Sequence, residues 1–228
     1  MTLRTLVTLL LCLAGAAAAD PAAQPPAAWA ARLAPIPESD LSGAEPLMRE
    51  AIQAARGQVA DLLLAADANP KAMARAYGRL GALLVLREVE APADAAFRNA
   101  QALDPDEFRW PYYAGYLALM SGNADQALTY LERARSLTPD YPPLYLRLGK
   151  VQLDRSALPE ARPPLERAAQ TPGLAAAAHF YLGQIANLER RHRDAVTHLE
   201  ASLAADPQAT EAHWPLAQAY RALGQNDL

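Results

Sequence analysis

The sequence predicts an all-α fold, a solenoid of stacked helix–turn–helix units, on three observations. Small residues recur every 34 positions: Gly81, Gly115, Gly149, Gly183 and Ala217. Three further rows keep that beat: Ala93, Ala127, Ala161 and Ala195; Phe97, Leu131, Leu165 and Leu199; Ala100, Ala134, Ala168 and Ser202. Prolines punctuate the same interval at Pro105, Pro139 and Pro207. Interleaved rows at one period mean one supersecondary unit repeated and stacked.

Residues 1–19 read as a cleavable export signal. Arg4 supplies the positive start, Thr5 to Leu13 is apolar, and Ala17-Ala18-Ala19 offers a small-residue cleavage site. That apolar stretch is too short to span a bilayer, so the mature chain is expected in the periplasm without a membrane span. Leu11 before Cys12, the chain's only cysteine, argues against lipid attachment, and the mature chain would hold no thiol. Residues 20–41 carry Pro21, Pro25, Pro26, Pro35 and Pro37 and predict an extended tether, with Trp29 and Leu33 as residues that could fold back onto the array. Residues 42–73 form an N-terminal capping region. Its helix is expected over Glu45 to Ala68, from the near-helical recurrence of Leu47, Ile52, Ala55, Val59, Leu62 and Leu63, and is ended by Asn69-Pro70.

The array then occupies 74–228, as units 74–107, 108–141, 142–175, 176–209 and a partial unit from Thr210. Gly122-Asn123 and Gly224-Gln225-Asn226 mark turns within units. Asp104-Pro105, Thr138-Pro139 and Asp206-Pro207 close them, because Pro halts a helix and restricts the residue before it. Two antiparallel helices close up only where one presents a small side chain. The small residues at the eighth, twentieth and twenty-seventh positions are those notches; larger residues at the fourth, seventh and twenty-fourth fill the spaces. Three places depart from the pattern. Pro111 stands at a fourth position, where Trp110 is expected to move in. Pro163-Pro164 should make a second helix start late or kink. Pro172 comes one residue early and predicts an irregular exit. Acidic Asp94, Asp125 and Asp194 near second-helix starts favour the helix N-terminus.

These rows resemble the tetratricopeptide repeat family from Ala74 to Leu228. The resemblance implies helical hairpins stacked as a right-handed superhelix with a concave groove lined by first helices. It places groove-facing residues near the second, fifth, ninth, twelfth and thirteenth positions. Carried onto this chain, the candidate partner-binding residues are Tyr112, Tyr116, Leu119, Lys150, Phe180, Gln184, Trp214 and Gln218. One groove-facing Lys and one Asn, Lys150 and Asn187, do not make the carboxylate clamp some family members use.

Composition is that of a globular protein: 228 residues, 52% hydrophobic, 20% charged. The net charge of −4 and scattered basic residues argue against nucleic acid. No phosphate loop, nucleophile elbow or metalloprotease motif occurs, so no catalytic residue, metal or cofactor is expected. His179 and His213 lie one unit apart at a packing position, and packing is favoured there over a metal pair. The leading reading is a non-catalytic scaffold binding a peptide or helix of an exported or outer-membrane protein. The alternatives are the N-terminal region of a larger exported enzyme or envelope-assembly protein, prompted by a last unit without its second helix, and a self-associating module.

Overall fold

A computed structural model describes residues 33–65 and 69–225. The expected signal segment, and Trp29 in the tether, lie outside the described residues. Among those described there is no strand. The helices are α1 (Pro46–Leu64), α2 (Pro70–Leu86), α3 (Glu90–Leu103), α4 (Arg109–Met120), α5 (Ala124–Leu137), α6 (Pro142–Asp154), α7 (Leu158–Ala169), α8 (Pro172–Leu188), α9 (His192–Ala205) and α10 (His213–Ala222). The protein is an all-α solenoid of stacked helical repeats. Its chain divides into two compact units, Met1–Leu117 and Ala118–Leu228.

In the N-terminal unit, α2 begins four residues before the expected start of the first repeat. Asn69 explains this. Its side chain accepts hydrogen bonds from the Lys71 and Ala72 amides, and Pro70 takes the first helical turn, where a missing N–H costs nothing. The expected capping region therefore gives its last residues to α2, and its own helix α1 stops at Leu64. The α2–α3 hairpin closes on Gly81. A Cβ there would sit 2.7 Å from Phe97 Cε1, so only hydrogen lets the ring in. Trp110 is 4% exposed and lies over Gly78, the fifth position of the preceding repeat, where a Cβ would be 2.1 Å from its ring, while Pro111 is itself buried at the fourth position.

The C-terminal unit repeats the device with leucine. A Cβ on Gly149 would meet Leu165 Cγ at 2.3 Å, and one on Gly183 would meet Leu199 Cγ at 2.5 Å. Knob and notch thus recur across both units at the eighth and twenty-fourth positions. Helix α7 does not start late. It begins at Leu158, in register with α3, α5 and α9, and runs to Ala169 with Pro163 and Pro164 inside it. The burial of Ala161, Leu165 and Ala168 holds it, because packing outweighs propensity. The irregular exit at Pro172 is an early start of α8, with Pro in its first turn.

Every first helix ends in the same way. Glu88, Gly122, Ser156, Arg190 and Gly224, one per unit, have φ of 56°, 73°, 59°, 60° and 76°. The amide after each donates back to a carbonyl five residues earlier: Val89 to Leu84, Asn123 to Ala118, Ala157 to Gln152, Arg191 to Ala186 and Gln225 to Tyr220, at 2.8–3.0 Å. This Schellman closure satisfies carbonyls that the helix end leaves orphaned and turns the chain into the second helix.

Candidate partner-binding surface

The fifth-position row shows what packing does with the residues proposed to face a partner. In the N-terminal unit Tyr112 is buried, its ring 6.4 Å from Phe108 and 5.6 Å from Tyr113. Tyr116, one turn on, is half-buried. In the C-terminal unit Leu146 packs beside Ala161, Leu165, Leu182 and Ile185, and Phe180 beside the cluster of Ala186, Ala195, Leu199, Ala212 and Ala219. Trp214 is 65% exposed. Leu146 and Phe180 pack on the helices that follow them, Leu146 beside Leu182 and Ile185 of α8 and Phe180 beside Ala219 of α10, while Tyr112 packs on rings of its own unit.

The remaining candidates are polar or at the margin. Leu119 and Gln184 are half-buried, and Gln218 is exposed. Lys150 Nζ pairs with both carboxylate oxygens of Asp154, one turn on, at 2.5 and 2.7 Å. The pair sits near the surface, where water screens it.

Helices α8 and α10 are tied together at this face. Asn187 Nδ2 donates to the Pro215 carbonyl at 2.9 Å, and the Asn187 Oδ1 lies 3.4 Å from His192 Nδ1. Asn187, His192, Gln218, Arg221 and Ala222 line an open depression of about 360 Å³. Leu188, next to Asn187, is 64% exposed, as Trp214 is beside Pro215. The bond thus joins the two helices next to two exposed apolar side chains, Leu188 and Trp214, and the depression beside it is lined by two amides and one guanidinium. Aromatic and aliphatic anchors inside a polar rim are the usual anatomy of an interface.

The register, the notch-and-knob hairpins and their common closure decide the family. The sequence model of the tetratricopeptide repeat matches residues 87–142, 112–174 and 189–228, more than half of the chain. The chain belongs to the tetratricopeptide repeat family. Solved structures with this fold include MamA, 20% identical with a TM-score of 0.62 over 68% of this chain and 84% of that one. MamA from residue 41 onward of Desulfovibrio magneticus RS-1 is 18% identical, with a TM-score of 0.63 over 67% and 86%. YrrB, described as a TPR protein with an unusual peptide-binding site, is 22% identical, with a TM-score of 0.58 over 68% and 79%. At such identities the likeness shows the fold. No curated protein is significantly similar to the sequence.

The tetratricopeptide register also shows what the sequence reading left unnamed. Leu86, Met120 and Leu188 stand at the thirteenth position of the first, second and fourth units and are 70%, 63% and 64% exposed. Writing out that row would have found them. The histidines pair differently from the one-unit reading. His179 faces His198 of the same hairpin, Nδ1 to Nδ1 at 3.1 Å, while His213 is exposed. The ring centroids are 5.4 Å apart, about one ring radius beyond the contact on each side, so the nitrogens point head-on. With one nitrogen protonated, that geometry makes an N–H···N hydrogen bond within the hairpin. No group of three or more metal-ligating side chains occurs among the described residues. No described helix is long and apolar enough to cross a membrane.

Proposed function

We propose that this protein is a non-catalytic scaffold of the periplasm, exported by residues 1–19. It binds a peptide or helix of another exported or outer-membrane protein on the first-helix face of its C-terminal unit. The observation that carries this reading is the exposure of Leu188 and Trp214 on two helices pinned by the Asn187–Pro215 bond. In this reading Gln184, Gln218, Lys150 and Leu119 are further contacts along the first helices, while Phe180 packs on the core and supports them. Half-buried Tyr116 is a separate aromatic edge in the N-terminal unit, whereas Tyr112 packs inside that unit and offers no surface to a partner. YrrB, of the same fold, carries a peptide-binding site by its own description, which supports the class of ligand.

The test is a crosslinking capture from periplasm with the full mature chain, beside a Leu188→Glu/Trp214→Glu variant. A partner held by the wild type and lost from the equally helical variant is the expected result. Equal capture by both proteins would remove the reading.

One observation favours a second reading, self-association through α10. Ala217 occupies the notch position that Phe97, Leu165 or Leu199 covers in other hairpins, yet it is exposed. A helix from a second copy bearing a knob would cover it. Light scattering across concentration decides, and a strictly monomeric mass rejects this alternative.

A further inference from the structure

The extended segment before α1 is held the way a peptide ligand is held. Asn99 on α3 is 1% exposed, and its carboxamide makes a two-way bond with Ala34: Nδ2 donates to the Ala34 carbonyl and the Ala34 amide donates to Oδ1, both at 2.8 Å. Two residues on, Ile36 is 7% exposed, while Pro35 and Pro37 face solvent. The contacts of Ala34 are to its main chain, so identity is read only through the buried aliphatic side chain. The ligand is also stiff. Pro fixes its own φ, and Ala34 and Ile36, each preceding Pro, are confined to extended conformations, so little freedom is lost on docking.

The register sets this position apart. The twenty-sixth residue of the third repeat, Arg167, spends its guanidinium on its own hairpin: it lies 4.0 Å over the Tyr145 ring, bonds the Tyr145 hydroxyl and reaches the Pro139 carbonyl. The first repeat places Asn99 there: it too bonds the fourth-position tyrosine of its hairpin, Tyr77, and its carboxamide donor and acceptor in addition match one extended residue. The segment is moreover anchored independently further along. Arg56 Nη2 bonds the Pro37 carbonyl and Ser39 Oγ, and Arg49 bonds the carbonyls of Leu41, Ser42 and Ala44. Ala34 to Ile36 can leave Asn99 without undoing those ties.

We propose that Asn99 and the surface that buries Ile36 form a second binding site, for extended peptides in which a branched aliphatic residue stands between two prolines. The chain's own Ala34–Pro37 fills the site in cis, and a matching Pro-interrupted segment of a protein partner replaces it. The site lies on a second helix and is distinct from the first-helix face.

The probe is a synthetic peptide of the sequence Leu33–Asp40. In the full wild-type chain, amide hydrogen exchange at Ala34 should accelerate saturably as peptide is added, because the released amide loses its Asn99 acceptor. In the full Ile36→Asp chain, a fluorescein-labelled peptide should bind at least tenfold tighter than to wild type, since the cis competitor is weakened. Adding Asn99→Ala should abolish that binding with helicity unchanged. Exchange at Ala34 that ignores peptide up to about 1 mM, a concentration at which even a weak complex forms, would overturn the proposal. So would peptide binding that survives Asn99→Ala.

Discussion

The hairpins α2–α3 and α8–α9 are built to one plan and finished differently. Each closes a large side chain onto glycine, Phe97 on Gly81 and Leu199 on Gly183, and each turns through a left-handed residue, Glu88 or Arg190. At the fourth position they diverge. The first hairpin buries Tyr77 and joins its hydroxyl to Asn99; burial pushes that hydroxyl up to about 12, with the bond to Asn99 pulling the other way. The other hairpin puts His179 there, half-buried against His198, with Ser202 Oγ donating to the Ala176 carbonyl nearby. The notch makes a hairpin. The fourth, twenty-third and twenty-sixth positions decide what that hairpin responds to.

The sharpest way to break the comparison is to remove each knob. Phe97→Ala should cost about 3–5 kcal/mol and Leu199→Ala about 2–5 kcal/mol, since both side chains are fully buried and leave a cavity over a glycine that cannot fill it. Chemical denaturation followed by circular dichroism measures both. A loss under 1 kcal/mol at either site would mean that notch and knob do not hold the hairpins.

Acid should distinguish the two hairpins next. Burial holds His198 below the ordinary histidine value, with His179 and Arg191 adding to the depression and Asp194 and Glu166 opposing it; burial alone does so for His179. The folded chain therefore takes up these protons at lower pH than the unfolded chain. Stability is full above the unfolded value of 6.5, falls as pH drops through it, and stops falling below the folded values. A second proton also removes the lone pair that accepts the shared hydrogen bond. Melting of wild type and His198→Phe between pH 8 and 5 checks this: the wild type should lose more stability on acidification. Parallel curves would show that the pair is not coupled to folding.

The smallest effect lies at the turns. Glu88→Gly and Arg190→Gly relieve a left-handed conformation that costs an ordinary residue about 1–2 kcal/mol, less the extra freedom glycine has when unfolded, about 0.5–1 kcal/mol. Each should stabilise by up to about 1 kcal/mol in the same denaturation assay, equally in the two hairpins. Ser156→Gly is the third member of that series.

How legible each element was in the sequence depends on how much variation its positions tolerate. Only a small residue fits under Phe97 or Leu165, so the notch rows could be read directly. The left-handed row was read at Gly122 and Gly224, but Glu88, Ser156 and Arg190 hide it, because a bearable strain leaves no mark on residue type. The histidine contact was missed because the 34-residue register aligns His179 with His213, whereas hairpin packing joins a fourth position to a twenty-third. Asn99 and Ala34 are 65 residues apart in a pairing that no period announces. The fifth-position candidates looked alike as a row. Whether each one packs or faces outward depends on what lies over it, which separates buried Tyr112 and packed Phe180 from exposed Trp214.

That separation is the central claim, and one pair of melting curves tests it most directly. Trp214→Glu should leave the midpoint within about 1 °C of wild type, as surface substitutions do. Phe180→Glu should cost about 2 kcal/mol of lost burial, a fall of roughly 4–8 °C for a chain of this size. A Trp214→Glu protein that melts as early as Phe180→Glu would contradict the account, because Trp214 would then belong to the core rather than to a surface offered to a partner.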